Sequence, residues 1–96
     1  MNKTLLLAAL AVLTTGVAQA DGAADYTAGG CSACHGALGV SAIPTYPSLA
    51  GQQAAYVVKQ LKDFQSGARK DPTMNAMAQM VVGKEQGIAD YLAGLK

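Results

Sequence analysis

Val57, Leu61 and Phe64 recur at i, i+4 and i+7 in QQAAYVVKQLKDFQSG, with Lys59, Gln60, Lys62 and Asp63 on the other faces. That spacing predicts an amphipathic helix from about Gln53 to Ser66, with Gly67 placed to stop it. Ile88, Tyr91, Leu92 and Leu95 repeat the pattern in KEQGIADYLAGLK and predict a C-terminal helix from about Lys84. Its start, Val82-Gly83-Lys84-Glu85, offers none of the Ser, Thr, Asp or Asn residues that cap a helix well. A third helix is predicted over AADYTAGG, running into Cys31. Between these lie two predicted loops: ALGVSAIPTYPSLAG, which contains Pro44 and Pro47, and the methionine-rich GARKDPTMNAMAQMVVG. No stretch alternates with period two for long enough to make a strand. The expected fold class is therefore all-α, with three main helices joined by loops.

The first twenty residues follow a different logic. Lys3 is a short positive start, Leu5 to Val17 is an apolar stretch, and Ala18-Gln19-Ala20 is a small-x-small sequence. This is the layout of a secretory signal peptide cleaved after Ala20. The apolar stretch is too short for a comfortable bilayer span. The expected mature chain is residues 21–96, a single exported domain with no membrane span, working in the periplasm.

Charge excludes one large class of partner. The sequence carries seven Lys and Arg against six Asp and Glu, and Lys3 belongs to the export segment, so the remainder is near neutral. Nucleic-acid binding needs a cationic excess and stacking platforms, and four tyrosines and one phenylalanine scattered along the chain do not supply them. Lys59, Lys62, Arg69 and Lys70 read as a solvated helix face, with a local basic patch as the alternative. A domain this small buries a modest fraction of its surface, so a disulfide, a metal or a bulky cofactor is expected to complete the core.

The chemistry is concentrated in GGCSACHGALG, where both cysteines and the single histidine lie within Cys31 to His35. A redox dithiol works at a helix start in a βαβ setting, and no strand is predicted. A structural zinc needs four ligands, and the sequence has no further Cys or His. A disulfide across one helical turn closes too small a loop to stabilise much. Covalent haem attachment uses every reactive residue of the motif, with two thioethers from Cys31 and Cys34 and an axial imidazole from His35. The sixth ligand must come from elsewhere, and with no second histidine a methionine thioether is the candidate. Met74 follows Pro72 in a predicted loop, whereas Met77 and Met80 sit at helical spacing ahead of Val81 and read as core filling.

Beyond the haem motif, CSACHGALGVSAIPTYPSLAGQQAAYVVKQLKDFQSGAR resembles the class I cytochromes c, specifically the short bacterial periplasmic monohaem kind related to the c-four, c-five and c-553 types. The shared features are CxxCHG, a P-x-L-A-G-Q segment and a tyrosine-bearing helix ending in Gly-x-Arg. The resemblance implies the cytochrome c fold around one covalently bound haem c. It implies that Pro47 offers its carbonyl to the axial imidazole, that Leu49 packs on the haem and that Met74 is the axial methionine. Gly22, Tyr26 and Tyr91 match the small and aromatic residues where the first and last helices cross, and Gln52, Tyr56 and Arg69 match propionate-side partners.

With both axial positions filled, no site remains for substrate. The implied role is a one-electron carrier, not an enzyme, with no catalytic residues, meeting redox protein donors and acceptors transiently and working as a monomer. The alternatives are a haem-based sensor of diatomic ligands, should the sixth position open, and an electron-input subunit of a larger oxidoreductase.

Overall fold

A computed structural model describes residues 21–95. The export segment and its cleavage site after Ala20 lie outside the described residues. Among the described residues the secondary structure is helical, with no strand.

The first helix, α1 (residues 21–28), does not run into Cys31. Gly29 and Gly30 form a turn, and Gly30 adopts φ 84°, ψ 3°, a left-handed geometry that glycine enters without steric cost. A separate short helix, α2 (Cys31–His35), starts there, so the motif has its own direction.

Helix α3 (Ala54–Ser66) agrees with the periodicity: Val57, Leu61 and Phe64 are its buried residues, and Gly67 ends it. Burial of each such side chain is worth about 1.5–3 kcal/mol, far more than any propensity term in the helix. The methionine-rich segment that follows is not a loop. Pro72–Met77 form α4 and Ala78–Val81 a 3₁₀ turn. Asp71 caps α4 by accepting the Met74 N–H at 3.1 Å, with Pro72 in the first turn. The 3₁₀ turn, with three residues per turn, buries Ala78 and Val81 and turns Met80 outward, where it is 65% exposed. Met80 is therefore not core filling.

Helix α5 (Glu85–Ala93) buries Ile88, Ala89 and Leu92 against α3. No side chain caps its start. Instead the Glu85 carboxylate accepts the Gly83 N–H at 3.0 Å, which satisfies a donor just ahead of the helix.

Helices α1 and α5 meet at small residues. A Cβ on Gly22 would overlap the Gly87 carbonyl oxygen, so the two backbones touch. One turn on, Tyr26 is fully buried, its ring centroid 5.6 Å from that of Tyr91. Both hydroxyls reach the chain just after His35: Tyr26 donates to the Gly36 carbonyl at 2.7 Å and Tyr91 to that of Ala37 at 3.2 Å.

The stretch between α2 and α3 is ordered by main-chain bonds and by the hydroxyls of Ser41 and Ser48. The Gly39 carbonyl accepts from Leu49 N at 2.7 Å and Ala50 N at 3.0 Å, and Ser41 N donates to Ser48 Oγ at 3.0 Å. Gly51 N docks its end on α5 through the Leu92 carbonyl at 2.8 Å.

Candidate functional site

Helix α2 carries Cys31, Cys34 and His35 at i, i+3 and i+4, so all three project from one side. His35 is buried and the cysteines are half-buried, with both thiols free. His35 Nδ1 lies 2.8 Å from the Pro47 carbonyl, which selects the tautomer with the proton on Nδ1 and leaves the Nε2 lone pair for coordination. Burial pushes the Cys31 thiol pKa up, against a hydrogen bond from its own backbone. That is the opposite of the depressed thiolates of dithiol oxidoreductases.

These three side chains face a cavity of about 360 Å³, within the range of cofactor sites. Val57, Leu61 and Phe64 from α3 form one apolar wall and Leu49 and Pro47 line another part. Met74 and Met77 from α4 also line it, both half-buried. Met77 is committed to the wall, its methyl group lying where a Cβ on Gly30 would meet it at 2.8 Å. Gln52, Tyr56 and Arg69 stand at the more polar rim, Arg69 over the Phe64 ring at 4.7 Å and bonded to Gln60 Oε1 at 2.6 Å.

The structure thus brings Cys31, Cys34, His35, Pro47, Leu49 and Met74 to one cavity and leaves Met80 on the surface. Two thiols, an imidazole held through its Nδ1, a thioether and apolar walls form a donor set that fits a covalently attached haem. Among the described residues no group of three or more His, Cys, Asp or Glu side chains could hold a bare metal ion.

Comparison with known proteins decides the family, because the cytochrome c pattern matches residues 19–95. The chain belongs to the cytochrome c family. Membership implies a covalently bound c-type haem with its iron, and supports an electron-carrying role. This cytochrome c is 38% identical over 96 residues to cytochrome c4 of Pseudomonas aeruginosa, across 97% of this chain and 47% of that protein. It is 44% identical over 75 residues to a thiosulfate dehydrogenase electron acceptor of Stutzerimonas stutzeri, across 69% of this chain and 34% of that protein. The crystal structure of reduced recombinant cytochrome c4 from Pseudomonas stutzeri superposes with a TM-score of 0.75 and 30% identity, over 84% of this chain and 50% of the other. The helical architecture is thus the cytochrome c fold, and the chain spans about half the length, or less, of the curated relatives it matches.

Sequence reasoning missed the polar residues that hold this cytochrome c's methionine segment in place: Asp71, Asn75, Gln65 and Gln79. Asp71-Pro72 was the one signal present, an N-cap residue followed by proline in the first helical position. The others act largely through main-chain atoms, which no motif displays.

Proposed function

We propose that the chain is a periplasmic one-electron carrier with a single haem c, attached through thioethers from Cys31 and Cys34 and ligated by His35 and Met74. The observation that carries this reading is the convergence of α2 and α4 on one cavity, α2 contributing the motif and α4 the thioether. When bound, the haem supplies the redox-active iron.

The residues divide the remaining work. The Pro47 carbonyl fixes the His35 ring and raises its basicity through Nδ1. Leu49, Val57, Leu61 and Phe64 exclude water from the walls, which favours the less charged state of the site. Gln52, Tyr56 and Arg69 at the rim suit the propionate carboxylates. Filling both axial positions from the protein leaves no place for a substrate, so the chain carries electrons and is not an enzyme. Residues 21–96 form the mature domain, a monomer, after export and removal of residues 1–20.

Its partners are redox proteins that dock briefly, in keeping with the near-neutral composition. A relative named as the electron acceptor of a dehydrogenase supports a place downstream of such an enzyme.

Proton NMR of the reduced holoprotein tests the ligation. A methionine methyl shifted far upfield by the ring current, present in the wild type and lost in Met74→Ala, is the expected result. Its absence from the wild type would mean an open or otherwise filled sixth position and would overturn the carrier reading.

A further inference from the structure

Helix α4 contains no fully buried residue, so the half-buried packing of Met74 and Met77 accounts for only part of its hold over the cavity. Ala78 and Val81 anchor only the turn beyond it. The rest comes from a set of hydrogen bonds centred on side-chain amides. Asn75 Nδ2 donates to the Phe64 and Arg69 carbonyls, each at 2.9 Å, and its Oδ1 accepts the Asp71 N–H at 2.9 Å. Asn75 N donates to the Asp71 carbonyl at 2.7 Å, while Asp71 Oδ1 accepts from Met74 N at 3.1 Å. Both donors and the acceptor of the Asn75 side chain are therefore engaged. Gln79 Nε2 adds a bond to the Gln65 carbonyl at 2.9 Å, and Gln65 Nε2 returns one to the Ala78 carbonyl at 3.0 Å.

The acceptors Phe64 and Gln65 lie in the last turn of α3, where carbonyls have no partner within their own helix. The end of α3 thus serves as the anchorage for the segment that bears the thioether. Asn75 is its centre, because it alone joins the α3 terminus, the Arg69 turn and the cap of α4.

We infer that Asn75 is a positioning residue for the sixth iron ligand. It sets the effective concentration of the Met74 thioether at the cavity, and so decides whether a ligand from solution can take that position. This rests on the Met74 ligation proposed above. Removing the Nδ2 bonds frees α4 to move while leaving the haem attachment and His35 untouched, so the change appears as competition at one coordination site.

The test is titration of the oxidised holoprotein with imidazole, followed by the haem absorbance, for the wild type, Asn75→Ala, Met74→Ala and the double variant. Asn75→Ala is expected to bind imidazole about tenfold more tightly than the wild type, the ratio that follows from losing one or two ordinary hydrogen bonds. In the Met74→Ala background the same substitution is expected to change the affinity less than about twofold, because Asn75 acts through Met74. A rise of less than about twofold with Met74 present overturns the inference. An equal rise in both backgrounds also overturns it, since Asn75 would then be shielding the cavity rather than holding the ligand. If Met74→Ala binds imidazole no more tightly than the wild type, the ligation reading itself fails, and that outcome is distinct from the other two. Should Asn75→Ala fail to mature, Gln79→Ala removes a single tie and is expected to give a rise of about threefold that also vanishes without Met74; no rise there overturns the inference.

Discussion

Gly22 and Gly87 touch across the crossing of α1 and α5, and the contact is one-sided. A Cβ on Gly22 would overlap the Gly87 carbonyl oxygen and stand 3.1 Å from the Tyr91 Cβ, whereas a Cβ on Gly87 would lie 3.6 Å from the nearest Gly22 atom, an ordinary contact. The two alanine substitutions should therefore differ in sign. Gly22→Ala forces the helices apart and is expected to destabilise by about 1–3 kcal/mol. Gly87→Ala, inside α5, should be neutral or stabilise by up to about 1 kcal/mol through helix propensity. Chemical denaturation of the two holoproteins reads the difference, and equal effects would contradict the geometry.

Tyr26 gives an alkaline signature. Burial above all pushes its pKa up, to about 12 with Cys31 as a free thiol and Tyr91 beside it, against about 10 in an unfolded chain. The folded state favours the neutral phenol, so this contribution is complete below about pH 10 and is lost as pH rises from there through about 12. Tyr26→Phe keeps the ring beside Tyr91 and removes the bond to Gly36. Because the Gly36 carbonyl also accepts from Gly39 N, the cost at pH 7 should be only about 1 kcal/mol. The stability gap to wild type is expected to shrink above pH 10 in parallel melts.

Glu85 should govern the acid limb. Burial alone would raise its pKa, but hydrogen bonds from Gln65, its own N–H and Gly83, with the Lys62 charge, outweigh that and hold it below the usual carboxylate value. The unfolded side chain titrates near 4.3. Its contribution is therefore present above about pH 4.3 and is lost as pH falls through the lower folded value. Glu85→Gln should cost about 1–2 kcal/mol at pH 7 and nothing extra at the acid end, so the two unfolding curves converge on acidification.

Loss of the attachment residues should remove the fold. Val57, Leu61 and Phe64 both join the hydrophobic core and line the cavity, so without a group filling it their inner faces meet water. The Cys31→Ala, Cys34→Ala double variant, exported without covalent haem, is expected to be largely unfolded by circular dichroism. A native-like helical spectrum with a cooperative melt would refute this.

The elements legible in the sequence were those long enough to show a period. Thirteen residues of α3 repeat Val57, Leu61 and Phe64 on one face, and α5 does the same with Ile88 and Leu92. Six residues of α4 hold less than two turns, so its helicity is visible only through the Asp71-Pro72 pair. Met80 misleads because the chain tightens to three residues per turn at Ala78, which puts Val81 inside and its neighbour outside. At the site, Cys31, Cys34 and His35 are legible because one helical turn contains them. Met74, Pro47 and Leu49 come from distant segments: the missing second histidine and the Pro72 loop pointed to Met74, while only the resemblance to known cytochromes named Pro47 and Leu49. Asn75 could not be found from sequence, since its partners are the carbonyls of Phe64 and Arg69, and every residue has a carbonyl.

The segment joining α2 to α3 separates what it presents from what it holds. Its shape comes from main-chain bonds converging on the Gly39 carbonyl, from the Ser41 and Ser48 hydroxyls and from the Pro47 carbonyl beneath His35, while Leu38, Val40 and Ile43 stand 66%, 63% and 46% exposed and support none of this with their side chains. The outer face of the segment can be rewritten in sequence without disturbing the imidazole it steadies. Sequence change at those three outward positions is thus decoupled from the main-chain geometry that fixes the His35 ring.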